Sequence, residues 1–124
     1  MTTREAARRW ADEWQRGWVE HDVDRVAALY APDALFLSAP FREPQDPREY
    51  VLQAFDDEDS AEPWFGEPIV DGDRAAVEWR AAIRAEGKEL TLAGASLLRF
   101  REDGLCVEQR DAWEMREGQF ARPA

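Results

Sequence analysis

The stretch LTLAGASLLRFR, residues 90–101, decides how this chain folds. It is apolar at most positions and ends at a turn formed by Glu102, Asp103 and Gly104. A strand that is apolar on both faces is one that is covered on both sides, because a strand facing water alternates apolar and polar residues. The stretch therefore predicts a central strand with helices over one face and a partner subunit over the other.

Two further strands are predicted beside this central one, at 74–84 before it and at 106–115 after it. Short turns join all three, which gives a long antiparallel meander. Alternation assigns one set of central-strand side chains to the face under the helices: Leu90, Leu92, Gly94, Ser96, Leu98 and Phe100. The opposite, outer face receives Thr91, Ala93, Ala95, Leu97 and Arg99.

The residues before the meander predict three helices. Thr2 and Glu5 form a capping-box signal for the first helix. Asp22 and Asp46 are typical N-caps for the second and third helices, and we expect the second to include Tyr30. The intervening residues 34–38, ALFLS, predict a short strand. The expected fold is α+β, with a cone-shaped, curved antiparallel sheet packed against three N-terminal helices.

Composition limits both the organisation and the partners of the chain. Its 124 residues suit one domain, expected over 1–116, followed by a loose C-terminal tail at 117–124. The net charge of -11 argues against binding to nucleic acid or to an anionic membrane. A single cysteine, Cys106, fits a reducing compartment, and no apolar run approaches the ~20 residues of a membrane span. We therefore expect a soluble cytoplasmic protein without metal or cofactor.

Three segments resemble the nuclear transport factor 2-like superfamily, in its SnoaL-like and ketosteroid-isomerase-like branch. They are DVDRVAALYAPDALF at 22–36, PFREPQDPREYVLQAF at 40–55 and SLLRFREDGLCVEQRDAWE at 96–114. The resemblance implies a cystatin-like cone with an apolar cavity, and frequent dimers through the outer sheet face. The superfamily includes isomerases, cyclases, dehydratases, epoxide hydrolases and binding modules, so the activity must be argued from the site.

The steroid isomerases of this superfamily use a general-base aspartate and an oxyanion hole made by a tyrosine and a protonated aspartate. By resemblance, the oxyanion tyrosine position falls on Trp14, the base position near Ser38 and the oxyanion aspartate position on Ser96. None of these three residues is the required acid or phenol. The resemblance therefore implies the fold without the isomerase mechanism.

Asp111 is the one ionisable side chain that the alternation places deep inside the cone. Burial raises the pKa of a carboxyl group, which suits it to proton transfer near neutral pH. We expect Asp111 to lie in a closed cavity ringed by at least two of Trp14, Trp18, Trp79 and Trp113. The other predicted ligand-binding residues are Tyr30, Phe36, Ser38 (or Leu37), Ser96, Leu98, Phe100 and Gln109.

Simpler roles are open for the same residues. Asp111 could be a structural acid bonded to the indole N–H of Trp14 or Trp79 or paired with an arginine, and the tryptophan stripe could be plain core. His21 is expected to be a surface or capping residue. The acidic run DDEDSAE at 56–62 lacks the spacing of a calcium loop and is expected to be a solvated surface loop.

Three functions follow from these residues. The first is a cofactor-independent isomerase, cyclase, dehydratase or hydrolase, in which Asp111 moves a proton on an apolar, oxygen-bearing compound. In this case Tyr30, Gln109, Ser96 and the indole N–H groups would orient the substrate. The second is a module that binds a small apolar ligand without chemistry. The third is an association domain that forms a two-fold homodimer through the outer sheet face.

Overall fold

The computed structural model describes residues 1–123 of the chain. Within them, three helices and six strands follow one another. They are α1 (Thr3–Glu20), α2 (Val23–Ala27), β1 (Tyr30–Leu37), α3 (Pro47–Asp56), β2 (Ser60–Phe65), β3 (Ile69–Asp71), β4 (Arg74–Ala85), β5 (Lys88–Phe100) and β6 (Cys106–Glu117).

Each helix begins at the cap that the sequence predicts. The side chain of Thr2 accepts the N–H of Glu5, that of Asp22 accepts the N–H of Arg25, and that of Asp46 accepts the N–H of Glu49. These bonds satisfy backbone donors that have no partner inside a helix. Over residues 1–123, none of the helices has both the length and the apolar character needed to cross a bilayer.

The six strands form one sheet in the order β1-β6-β5-β4-β2, and β3 pairs with the remaining part of β4. Strand β5 lies in the middle and pairs antiparallel with β4 on one side and β6 on the other. Its side chains alternate as predicted, since Ser96, Leu98 and Phe100 are buried while Leu97 and Arg99 are exposed. The predicted α+β fold, with helices on one face of a curved sheet, is confirmed.

The expectation of a purely antiparallel sheet is wrong, because β1 runs parallel to its neighbour β6. The expected second helix through Tyr30 is also wrong, since α2 ends at Ala27 and Tyr30 begins β1. The pairing of β1 with β6 is irregular between Tyr30 and Leu35, where Pro32 lies exposed. Proline cannot donate a ladder hydrogen bond, so it is tolerated at such a break in an edge strand.

The acidic run at 56–62 is not a solvated loop throughout. Asp56 is the last residue of α3, and Ser60, Ala61 and Glu62 belong to β2. Only residues 57–59 connect the two elements. Within this short connection the side chain of Glu58 turns inward and is 8% exposed, which brings a carboxyl group into the interior.

The described part of the expected loose tail, residues 117–123, lies against the outer face of the sheet; Ala124 lies outside the described residues. Strand β6 extends to Glu117, and Gly118 then donates to the carbonyl of Glu89 at 2.7 Å. The N–H of Phe120 donates to Thr91 Oγ1 at 3.1 Å. Farther along, Arg122 pairs with Glu78 at 2.8 Å. One end of the outer face is therefore covered by the chain itself.

Candidate active site

A cavity of about 90 Å³, here called the chamber, lies between helices α1 and α3 and the inner face of the sheet. Helix α1 lines it with Trp10, Trp14 and Trp18, whose four-residue spacing places them one above another on the helix face. The sheet contributes Asp111 and Trp113 from β6, among other residues. The wall is therefore aromatic with a carboxyl group set into it.

A wider space of about 480 Å³, here called the vestibule, adjoins the chamber. Its lining includes the exposed residues Arg42, Gln53 and Asp57. The two spaces share five lining residues, namely Tyr50, Ala54, Glu58, Leu92 and Trp113. Small-molecule sites usually measure about 300–1,000 Å³, so a ligand of ordinary size would occupy both spaces.

Asp111 faces Ser96 across the β5–β6 pair, and its carboxylate is the acceptor of a small polar cluster. Ser96 Oγ donates to Asp111 Oδ1 at 2.6 Å. Gln109 Nε2 donates to Oδ1 at 3.0 Å and, less closely, to Oδ2 at 3.2 Å. Burial raises the pKa of Asp111 to about 7, against the lowering effect of these two donors. The group can therefore gain and lose a proton near neutral pH.

The two donors around Asp111, Ser96 and Gln109, are themselves held by hydrogen bonds from other side chains. The Tyr30 hydroxyl donates to Gln109 Oε1, which leaves the Nε2 of that amide pointing at Asp111. Ser96 Oγ in turn accepts from Trp79 Nε1 at 3.0 Å. Because each donor is itself held, the orientation of the Asp111 carboxyl group is set before any ligand binds.

The expectation that indole N–H groups orient a substrate is wrong, because each pocket tryptophan donates to the protein. Trp14 donates to the Tyr30 hydroxyl at 2.9 Å, and Trp10 donates to the same oxygen at 3.2 Å and to Gln109 Oε1 at 3.1 Å. Trp113 donates to the carbonyl of Ser38 at 2.6 Å. With Trp79 on Ser96 and Trp18 on Glu58, these rings present apolar surface to the chamber.

Glu58 is a second carboxyl group in the chamber, and sequence reasoning missed it. Trp18 Nε1 donates to both of its oxygens, at 3.1 and 3.0 Å. His21 Nε2 lies 3.0 Å from Glu58 Oε2, and the His21 ring stacks on Phe55 with a centroid separation of 5.1 Å. Burial raises the pKa of Glu58, and the bonds from Trp18 and His21 lower it in part.

His21 occupies the C-cap of α1 with φ 53°, in the left-handed region. It is the capping residue that the sequence predicts, but its side chain also reaches the wall of the site. The imidazole is 28% exposed, whereas the Glu58 side chain that it contacts is 8% exposed. His21 therefore connects a buried carboxyl group to solvent.

The predicted site residues divide into two groups. Seven of them line the chamber: Trp14, Trp18, Trp79, Ser96, Gln109, Asp111 and Trp113. The other five are buried but do not line it: Tyr30, Phe36, Ser38, Leu98 and Phe100. Of these, Tyr30 donates a hydrogen bond to the lining residue Gln109, and the carbonyl of Ser38 accepts one from the lining residue Trp113. Phe36, Leu98 and Phe100 belong to the apolar core.

Several lining residues lie outside the predicted set: Trp10, Tyr50, Phe55, Glu58, Phe65 and Leu92. Trp10 shares the helical stripe of Trp14, and Leu92 shares the face of Ser96, so the periodicity that selected those neighbours could have selected these two as well. Glu58 carries no such signal, because an acid within an acidic run is typical of a surface loop.

Comparison with known families assigns the chain to a class. The family model described as a SnoaL-like domain matches residues 7–109, which is most of the chain. The chain therefore belongs to the SnoaL-like domain family. No curated protein matches it.

Solved structures show the same fold at low sequence identity. An NTF2-like protein of unknown function from Exiguobacterium sp. 255-15 is 16% identical, with a TM-score of 0.73 over 88% of this chain and 98% of that one. SalBIII, an epoxide hydrolase/cyclase-like enzyme with a role in pyran ring formation in the polyether salinomycin, is 16% identical, with a TM-score of 0.79 over 94% and 100%. An LEH-like epoxide hydrolase from Mycobacterium tuberculosis is 16% identical, with a TM-score of 0.69 over 90% and 82%.

Proposed function

We propose that this protein is a cofactor-independent enzyme that acts by acid–base catalysis on a small, apolar, oxygen-bearing molecule. The observation that carries the proposal is the presence of two carboxyl groups with raised pKa in one aromatic chamber, Asp111 on β6 and Glu58 after α3. A pair of carboxyl groups can supply an acid and a base to the same reaction. Isomerisation, cyclisation, dehydration and hydrolysis can each be catalysed by such a pair.

Epoxide opening is the reaction that we favour within this class, since two of the similar structures are epoxide hydrolase-like enzymes. Protonated Asp111 would donate its proton to the epoxide oxygen as the C–O bond breaks. The Glu58 carboxylate would accept a proton from the attacking water or from a hydroxyl of the same molecule. One new C–O bond forms, and solvent then returns the proton from Glu58 to Asp111.

The assignment of acid and base follows from the contacts of the two groups. Asp111, with a pKa of about 7, retains its proton in a large share of molecules at neutral pH. Glu58 accepts hydrogen bonds from Trp18 and faces His21, and both contacts favour its ionised form. The chamber wall supplies apolar contacts that hold the carbon skeleton.

The direct test is the conversion of an apolar epoxide to its diol. Purified protein is incubated with styrene oxide or cyclohexene oxide, and the diol is measured by chiral chromatography. We expect diol formation above the uncatalysed rate, with one enantiomer in excess because the chamber is chiral. A racemic product at the uncatalysed rate with both epoxides would contradict epoxide opening.

Replacement of Glu58 by glutamine is expected to slow this reaction about a hundredfold, at the lower end of the range for loss of a general base. Glutamine keeps the size of the side chain and can still accept the N–H of Trp18, so the fold should be retained. The matched control is Asp59→Asn, which removes a neighbouring exposed charge that lines neither the chamber nor the vestibule. Equal rates for the two variants would show that Glu58 is not the base.

Binding without chemistry is the second candidate function. It is favoured by the saturated indole N–H groups, which leave a wall suited to an apolar ligand rather than to a polar reaction centre. An apolar molecule that binds tightly and is recovered unchanged from the wild-type protein would support this reading.

We further propose that the chain forms a two-fold dimer through the part of the outer face that the tail leaves uncovered. That part carries Ala95 and Leu97 on β5, with Ala76 and Ala112 on the neighbouring strands. Leu97 lies at the centre of this uncovered part and is 56% exposed. Thr91, which the sequence placed in the same contact, is instead 5% exposed beneath the tail.

Leu97→Glu is expected to convert the dimer to a monomer, because it places two like charges close to the two-fold axis. Light scattering at micromolar concentration should give twice the chain mass of 14.3 kDa for the wild type and the chain mass for the variant. Val19→Glu, a similar change at an exposed position of α1, should remain dimeric. A monomeric wild-type protein would overturn the proposal.

A further inference from the structure

We propose that Arg42 recognises a carboxylate group on the ligand and holds it in the vestibule while the apolar part of the same molecule enters the chamber. The inference deepens the proposed function, on which it rests for the identity of the site. It concerns substrate class: the favoured ligand is an apolar molecule with a carboxylate at one end.

Arg42 is held in place at the vestibule by three contacts. Its backbone N–H donates to the carbonyl of Ala39 at 3.2 Å, which fixes the turn that carries it. Its Nη1 donates to the buried Ser38 Oγ at 3.2 Å, and its guanidinium carbon lies 5.3 Å from the centroid of the Trp113 ring. Stacking of a guanidinium on an aromatic face orients the group and leaves its edge available.

The platform under Arg42 is itself fixed. Trp113 Nε1 donates to the carbonyl of Ser38 at 2.6 Å, so the ring and the hydroxyl that hold Arg42 are tied to each other. Ser38 Oγ also donates to Gln45 Oε1 at 3.3 Å. The guanidinium therefore occupies a defined position with most of its five N–H donors unused, and a carboxylate can accept two of them side by side.

Arg42 lines the vestibule without an acidic partner. Eight other arginines form ion pairs, as Arg25 does with Glu13 at 2.6 Å and Arg122 with Glu78 at 2.8 Å. Of the arginines that form none over residues 1–123, only Arg42 lines the chamber or the vestibule. Among residues 1–123, no carboxylate lies within ion-pair distance of Arg42, although the protein carries 27 acidic residues. A guanidinium group that lines a pocket and has no carboxylate partner in the protein is suited to bind a carboxylate of the ligand.

The charges around Arg42 permit an anionic ligand. Asp57 and Glu58 also line the vestibule, but Asp57 is exposed to solvent, which screens its charge, and the Glu58 carboxyl group is already bonded by Trp18 and His21. Tyr50 and Trp113 line both spaces, with Asp111 in the wall of the chamber and Arg42 in the wall of the vestibule. A ligand that extends past these two residues would therefore meet Arg42 at one end and Asp111 at the other.

The test compares two ligands of the same shape, cinnamate and its neutral amide, cinnamamide. Binding of each to the full-length protein is measured by calorimetry at low salt. The wild type is expected to bind cinnamate about ten- to a hundredfold more tightly, the range for a charge-assisted pair of hydrogen bonds. Arg42→Gln should abolish this preference and change cinnamamide affinity less than about threefold, because the amide does not need the charge.

Two control variants test whether the preference for cinnamate depends on the Arg42 side chain itself or only on the net charge of the protein. Arg16→Gln removes the same charge from an exposed site on α1 and should keep the preference. Arg42→Lys should keep part of it, because lysine supplies charge without the planar fork. A wild type that binds neither probe, or binds both equally, overturns the proposal, as does a preference that survives in Arg42→Gln. The catalytic proposal is tested by a different measurement, the rate of epoxide opening by Asp111→Asn. Full activity of that variant would contradict the catalytic proposal and leave the result on Arg42 unaffected.

Discussion

Asp111→Asn is expected to slow epoxide opening by about 10²–10⁴-fold, the usual cost of losing a general acid or base, while the protein remains folded. The fold should persist because Ser96 Oγ and Gln109 Nε2 both reach Oδ1 in the wild type. The amide oxygen of asparagine can accept the same two bonds. What it cannot do is carry the exchangeable proton.

The matched control for this variant is Asp12→Asn, at an exposed position of α1, which should leave turnover unchanged. Circular dichroism of both variants should match the wild type. Full activity in Asp111→Asn would remove the proposed catalyst, and the binding function would then be the better account of the cavity.

The same substitution is expected to stabilise the protein at high pH, by an amount that grows as the pH rises. Burial raises the pKa of Asp111 from its ordinary value of 3.8 to about 7, so between these values the unfolded chain releases a proton that the folded chain keeps. Wild-type stability therefore falls as the pH rises from about 4 to about 7, then levels off. Asparagine does not titrate and escapes this loss.

The size of the effect follows from the two pKa values. A tenfold change in the acid dissociation constant corresponds to about 1.4 kcal/mol, so the stability of Asp111→Asn relative to the wild type should grow by about 3 kcal/mol between pH 5 and pH 8. Urea unfolding at the two pH values measures this growth. Any constant effect of the replacement cancels in the difference.

A structural aspartate gives the opposite pattern. If Asp111 were an ionised acid held by its donors, its folded pKa would be depressed, and asparagine would destabilise the protein most at high pH. The pH dependence thus separates the two roles left open by the sequence, and it requires no knowledge of the substrate.

The sequence was sufficient to predict the parts of the site that lie on periodic elements. The alternation of β5 and β6 placed Ser96 and Asp111 on one face, and the structure pairs them directly. The carboxyl group of this pair belongs to Asp111 on β6, and Ser96 on β5 is one of its hydrogen-bond donors.

The parts that could not be predicted depend on contacts between distant residues. Glu58 looks like one member of a solvated acidic run, and only its bonds to Trp18 and His21 show that it turns inward. The indole N–H groups looked available to a substrate because their acceptors, such as the Tyr30 hydroxyl and the Ser38 carbonyl, are far away in sequence. Periodicity indicates which face a residue occupies but not which partner it finds there.

The parallel pairing of β1 with β6 shows a related limit. The short run at 34–38 predicted a strand but gave no information on its neighbour, because the two strands are separated by most of the chain. Pairing at such separations is decided by packing of the whole sheet rather than by local turns.

The tail that crosses the outer face has a consequence for how the protein is handled. Residues 118–123 are tethered to the face they cover, so they act there as a ligand at millimolar effective concentration. A second chain at micromolar concentration cannot displace them from the Thr91 end and must dock beside them. A bulky label attached at Arg122, which pairs with Glu78 on this face, would therefore lie next to the proposed dimer contact, and we expect it to disturb assembly more than the same label at Val19, an exposed position of α1.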